Sequence, residues 1–234
     1  MKDVKTSEAS EKKRRTRRII ITILIVVIGI IAVIGIWFLS RYQHTSSDRL
    51  ESLYTGSIEQ FHSSVDKDGD GIDDQVDILE GTLAYVDTHP KYKSKYYNTG
   101  YPDDGYGVCT DVVANAMKAA GYDLMELVSE DIAAHPDDYD IEEPDKNIDF
   151  RRVRNLKVYF KNNAISLTTD VSDIREWQGG DIVIFKRHIG VVSDRRNKDG
   201  VPYVIHHNDP QQKNYEQDIL ETRNDIVGHY RVSD

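Results

Sequence analysis

The 234-residue chain has one cysteine, Cys109. A lone cysteine excludes an intramolecular disulfide, so no covalent staple holds the fold. The chain has no internal repeat and no low-complexity tract beyond a basic tail, which at this length points to one globular domain with appendages. Positive charge is scarce past the tail. Residues 1–18 hold eight Lys and Arg against three acids, a balance of +5, while residues 19–234 hold 22 basic against 37 acidic groups, a balance of −15. So acidic a body argues against a nucleic-acid partner. Residues 19–39 lack charge altogether. The stretch at its end, "FLSRYQ", lacks a convincing small-residue site at which a signal peptide would be cut.

The uncharged run "IIITILIVVIGIIAVIGIWFL" is 21 residues long. As a helix it would span about 31 Å, the thickness of a bilayer core. A signal-peptide apolar region is shorter, roughly 7–15 residues. The run is therefore expected to be an uncleaved anchor. Arg14, Arg15, Arg17 and Arg18 abut it, which keeps 1–18 cytoplasmic and exports the body, with Trp37 at the outer interface. Outside the cytoplasm thiols tend to be oxidised or paired. An unpaired Cys109 is then either a small buried hydrophobe or a reactive group.

The expected organisation is a basic tail (1–18), a transmembrane helix (19–39), a polar juxtamembrane stalk (40–64), an acidic loop (65–78) and a catalytic domain (79–234). Val76, Leu79, Leu83 and Val86 keep helical spacing. A loop rich in Tyr, Gly and Pro leads to Cys109. "CTDVVANAMKAAG", "LMELVSEDIAAH" and "FRRVRNLKVYFKNN" read as helices, the first stopped by Gly121. After Trp177 come short β-rich runs, "DIVIFK", "HIGVVSD", "PYVIHHN" and "VGHYRV". Helices first and antiparallel strands later predict an α+β domain.

The acidic loop "DKDGDGIDDQVD" sets Asp66, Asp68, Asp70, Asp74 and Asp77 at positions 1, 3, 5, 9 and 12, with Gly71 at 6. Carboxylates this close repel one another unless a cation sits among them. Hard oxygen ligands at this spacing suit Ca²⁺, with the Ile72 carbonyl as a further ligand. Position 12 is Asp instead of the bidentate Glu of an EF-hand, and the hydrophobic residue falls at 7. In both respects the loop resembles the aspartate-rich repeats of thrombospondin and dockerin-like modules. The ion would be structural. The bland alternative is a solvated acidic loop.

Cys109 opens a predicted helix after Gly105 and Gly107, two glycines that would let a substrate approach the backbone. A helix N-terminus lowers a thiol pKa, and the Cys109 amide would face a developing oxyanion. A base is needed next. Of eight histidines, His44, His62, His89 and His135 lie in loops or stalk, and His229 suits packing. His188 opens a strand directly after "DIVIFK". Alternation puts His206 and Asn208 on one face of the next strand and His207 on the other. One hairpin can thus present a base and an orienting group, which is either His206 or Asn208.

A helix-opening Cys, "GDIVIFKRHIGVV" and "YVIHHN" together resemble the NlpC-type cell-wall peptidases of the papain-like clan. More closely still, "GVCTDVV", "PDKNIDFRRVRNL", "WQGGDIV", "HIGVVSD" and "GHYR" are similar to the exported bacterial family called domain of unknown function 1287, over roughly 78–232. The resemblance implies a papain-like α+β fold and a thiol hydrolase cutting amide bonds in peptidoglycan. Carried over, Cys109 is the nucleophile, His188 the base and His206 the third member, since His206 follows the apolar pair Val204 and Ile205. Tyr106, Asp111 and Arg151 become candidates for substrate binding. Asp111, Asp149, Arg151 and Arg152 also suit buried ion pairs or helix caps. Two departures stand out: Phe150 occupies a place where the family is expected to have His, and the histidine of "VIHHND" is doubled. Acyl transfer to an amine or lipid on the same fold, or a calcium-dependent wall-binding module without catalysis, are the other readings.

Overall fold

A computed structural model of the chain describes residues 2–42 and 44–234, the side chains of 2–11 and 41 excepted. Much of the basic tail's side-chain content, and Gln43 of the expected stalk, thus lie outside the described residues. The chain divides into two units, Met1–Tyr42 and Gln43–Asp234.

The first unit is one helix, α1 (Lys2–Arg41). Its stretch Lys12–Ser40, of mean hydropathy 3.4, is long and apolar enough to cross a membrane, a test that a signal sequence also passes. The helix begins well before the apolar run. Lys, Arg and Glu are strong helix formers, and adding residues to an existing helix avoids the cost of a new nucleus.

In the second unit the expected helices form α2 (Asp74–Asp87), α3 (Cys109–Ala119), α4 (Leu124–Ala134) and α6 (Val153–Asn163), with a single turn, α5 (Lys146–Asp149), before the last. Two short strands, β1 (Lys91–Tyr92) and β2 (Tyr106–Gly107), pair in parallel within the Tyr-rich loop. The main sheet contains β3 (Ile165–Ser166), β4 (Ile182–Phe185), β5 (His188–Arg196), β6 (Pro202–Ile205), β7 (Glu216–Gln217) and β8 (Ile226–Arg231). Its order is β3-β8-β4-β5-β6-β7, antiparallel at every pairing. The result is a mixed helix-and-strand domain with helices first and an antiparallel sheet after.

Strand alternation decides what each face meets. Ile182, Ile184, Ile189 and Val191 join Val113, Ala116, Met117, Leu124, Leu156 and Phe160 in the larger core. Val183, Phe185, Val192 and Val204 pack with Trp177 and Leu220 in a second core. With both faces covered, β4 and β6 are buried at every position.

The segment expected as a stalk makes hydrogen bonds to the domain that follows it. Residues 44–64 form no helix and, apart from a single bridge of Ser46 to Asn214, no strand. The Ser46 amide donates to the Lys213 carbonyl at 2.8 Å, and the Leu53 amide to that of Arg196 at 2.8 Å. Glu216, 3% exposed, accepts from Arg49 at 2.9 Å and from the Leu50 amide at 2.6 Å. A buried carboxylate needs such donors, and this segment supplies them.

Candidate active site

Helix α3 starts at Cys109 because the chain is held there from both sides. Val108, extended at φ −136° and ψ −176°, is the N-cap. Its amide donates to the Asp111 carboxylate at 2.8 Å. That carboxylate also takes Arg151 Nε at 2.6 Å and Nη2 at 2.9 Å. Arg151 Nη1 reaches the Lys95 carbonyl at 2.7 Å. Both side chains of the pair are buried. Asp111 and Arg151 therefore face each other instead of an open groove, which is the ion-pair role that the sequence also allowed. Removing either partner would leave an uncompensated buried charge. Arg152 pairs with Asp149 at 3.1 Å, whose other oxygen accepts the Asp145 amide at 2.6 Å. Phe150, the departure from the family pattern, is fully buried against Tyr101, with ring centroids 4.9 Å apart. Gly107 is packed against the Tyr85 hydroxyl, which leaves no space for a Cβ there.

The Cys109 thiol lies against the start of β5. Burial pushes its pKa up to about 11, and the Asp111 charge adds to the rise, against the amides of Ile189, Thr110 and Cys109 itself. The helix N-terminus was expected to lower it, but here desolvation is the larger effect. The Ile189 amide at the sulfur brings the thiol beside the residue that follows His188. Among the described residues no hydrogen bond joins the thiol to His188.

His188 Nε2 lies 2.8 Å from His206 Nδ1, and His206 Nε2 lies 2.9 Å from Gln217 Oε1. This chain fixes the protons. An amide oxygen only accepts, so His206 Nε2 carries hydrogen and its Nδ1 is an acceptor. His188 Nε2 must then donate, which leaves His188 Nδ1 with a lone pair. Both rings are held neutral. Burial and then Arg223 take His188 down to about 4, and burial and then His188 take His206 well below its ordinary value. Asn208, the other candidate for third member, is exposed and turns its amide to Asp209.

Gln217 had no signal in the sequence; it lies on the two-residue strand β7. Gly190 is a second residue that sequence reasoning missed. A Cβ there would meet Val204 Cγ1 at 2.6 Å, the Ile205 carbonyl at 3.0 Å and His206 Cβ at 3.2 Å. Gly190→Ala should therefore push β6 and His206 outward. The expected cost is about 1–3 kcal/mol, a melting temperature lower by roughly 3–10 °C. Calorimetry showing an unchanged melting temperature would count against this packing.

Tyr106 lies on β2 with the Lys93 ammonium 5.1 Å above its ring, half-buried and three residues before the thiol. Tyr92 is nearer in effect: burial raises its phenol pKa, followed by the charge of Cys109 and then of Asp209. His207 points to the other face from His206, as alternation requires. It is wedged edge-on between Tyr92 at 5.2 Å and Tyr215 at 5.0 Å, and both ring nitrogens are buried without a hydrogen bond among the described residues. Burial lowers its pKa to about 4.

The acidic loop turns through Gly69 and Gly71 at positive φ. One oxygen from each of Asp66, Asp68 and Asp70 lies within 4.8 Å of the others. Asp74, expected as a fourth ligand, is committed elsewhere. Its oxygens accept the Lys67 amide at 2.8 Å and the Tyr122 hydroxyl at 2.5 Å. Ile72 is exposed, with its amide on Asp70.

The family described as domain of unknown function (DUF1287) matches residues 79–232. The chain belongs to this family. A relative, the "Uncharacterized protein YijF" of Escherichia coli strain K12, is 36% identical over 167 residues, covering 66% of this chain and 80% of its own. No solved structure matches the chain. The DUF1287 region begins in α2 and ends just past β8, so it holds Cys109, His188, His206 and Gln217. The residues along 44–64 and the acidic loop lie outside it, apart from the contacts they make with its edge.

Proposed function

We propose that this DUF1287 protein is a membrane-anchored, extracytoplasmic cysteine hydrolase that cleaves amide bonds in peptidoglycan, on a papain-like domain of the NlpC type. The observation that carries the reading is the Gln217–His206–His188 chain beside a thiol at a helix start. That chain leaves Nδ1 of His188 unprotonated, and the residue after His188 donates its amide to the thiol, which supports His188 as the base. Cys109 gives its proton to His188 Nδ1 as the sulfur attacks the amide carbonyl. The imidazolium returns that proton to the departing amine, and water then resolves the thioester. The amides at the start of α3 offer N–H groups to the oxyanion. α1 serves as the anchor, with Arg14, Arg15, Arg17 and Arg18 on the cytoplasmic side.

The raised thiol pKa favours a second reading, a wall-binding module with an inert cysteine. Digestion separates the two. The full-length protein in detergent, added to purified peptidoglycan, should release soluble fragments carrying new amino and carboxyl termini, read by mass spectrometry. An added amine acceptor that captures the acyl group would instead identify a transferase. Binding to the sacculus with no new termini would leave the module.

A further inference from the structure

We infer that the acidic loop holds one Ca²⁺ between the carboxylates of Asp66, Asp68, Asp70 and Asp77, with the Ile72 carbonyl as a fifth protein oxygen. Three oxygens that lie within 4.8 Å of one another fit on a sphere of the radius of a Ca–O bond, about 2.3–2.6 Å. Asp77 is the independent observation. It sits in the first turn of α2, is only 7% exposed, and its Oδ2 is buried with no hydrogen-bond partner. The charges acting on its carboxyl, after burial itself, are those of Asp70, Asp68 and Asp66, in that order. Asp77 closes the acidic loop on the first turn of α2, next to the residues that carry the exposed three. A buried carboxylate oxygen without a donor is costly, and among the described residues no donor reaches it. A cation held by the three, with Asp77 turning in to join them, would satisfy it and cancel their repulsion.

The donor set selects the ion. It contains no sulfur or imidazole, which disfavours zinc and copper. Four carboxylates and a carbonyl exceed what Mg²⁺ takes from a protein, because Mg²⁺ keeps most of its water. Asp74 stays out of the set, holding Lys67 and Tyr122 instead.

The site has a structural consequence. Next to Asp77, Gln75 donates to the Gly179 carbonyl at 2.6 Å and to Asp181 at 3.0 Å. Gly121, at the end of α3, has φ +78° and presses on Asp68, 3.1 Å from where its Cβ would be. Filling the loop thus fixes the start of α2 against the sheet and the end of α3 against the loop. None of this depends on the thiol chemistry, and the test reads binding and melting only.

Chelator-treated full-length protein in detergent would be titrated with CaCl₂ by calorimetry and melted in chelator, CaCl₂ or MgCl₂. The expected result is one Ca²⁺ per chain and a melting temperature raised by at least about 5 °C in Ca²⁺, with little response to Mg²⁺. Asp70→Ala alters an exposed side chain and should lose both binding and the shift. Asp77→Asn should lose binding while melting no lower than wild type in chelator, because it removes a buried charge that has no partner. Should Asp77→Asn fail to fold, Asp70→Ala decides. No stoichiometric Ca²⁺ at millimolar concentration, an equal response to Mg²⁺, or undiminished binding by Asp70→Ala would overturn the assignment.

Discussion

Cys109→Ala is expected to lower peptidoglycan hydrolysis by at least about 10³-fold, with the far-ultraviolet spectrum unchanged. The substitution removes one sulfur atom from the edge of the core and leaves the Asp111–Arg151 pair that builds the helix start. The loss of stability should stay below about 1.5 kcal/mol. His188→Ala should be equally inactive, since the proposed mechanism has His188 take the thiol proton. A folded Cys109→Ala protein that still hydrolyses amide bonds would remove the thiol mechanism altogether.

The same pair sets a pH dependence. With the thiol at about 11 and His188 at about 4, both are neutral at pH 7. Alkylation by iodoacetamide should rise roughly tenfold per pH unit as the thiolate population grows. A rate already flat from pH 6 to 9 would mean that the two groups exist as a thiolate–imidazolium pair. The stability signs follow by linkage. The thiol's raised pKa stabilises the fold below its ordinary value of 9.0, and that stability is lost as pH climbs through about 11. For His188 and His207, lowered from 6.5 to about 4, stability is present above 6.5 and lost as pH falls through about 4.

Periodicity carried most of the fold. α4 and α6 bury one face each, so their apolar spacing could be read directly, while α3, buried on nearly every side, was read from its run of apolar residues and its Gly stop. The order of a helix-opening cysteine, a strand-opening histidine and a polar pair on the next strand was legible because each sits at the end of a regular element. What could not be read depends on long-range partners. Gln217 follows a loop from β6 and has no pattern around it. Residues 44–64 have too few apolar groups to signal order, and are held by backbone bonds and by the buried Glu216. Asp74 and Asp77 look alike in sequence, but the amide of Lys67 and the hydroxyl of Tyr122 claim only Asp74. The thiol pKa went opposite to the helix-terminus expectation because burial at the sheet outweighs a terminus dipole that is worth about 0.3–1 kcal/mol.

The doubled histidine yields a graded series. His206 holds His188 in the productive tautomer through the 2.8 Å contact, but touches no reacting atom. It is a positioning residue, so its loss should cost less than the loss of the nucleophile. His206→Ala should slow turnover by roughly 10–10²-fold, mainly in kcat, since substrate contacts are untouched. His206→Asn, which keeps an acceptor near His188 Nε2, should recover much of that loss. A merely structural role would give no such recovery at equal melting temperature. Gln217→Ala leaves the imidazole pair but frees the His206 proton to either nitrogen, so a few-fold loss is expected. His207 lies on the opposite face, with two buried nitrogens and no hydrogen-bond partner for either among the described residues. His207→Leu, close to it in volume, should turn over near the wild-type rate and melt at the same temperature or higher, because the unpaired polar atoms are gone. The series is read by kcat, KM and melting temperature at neutral pH. If His207→Leu is crippled and His206→Ala is not, the orienting residue is on the other face of β6, and the Gln217–His206–His188 chain has no part in the chemistry.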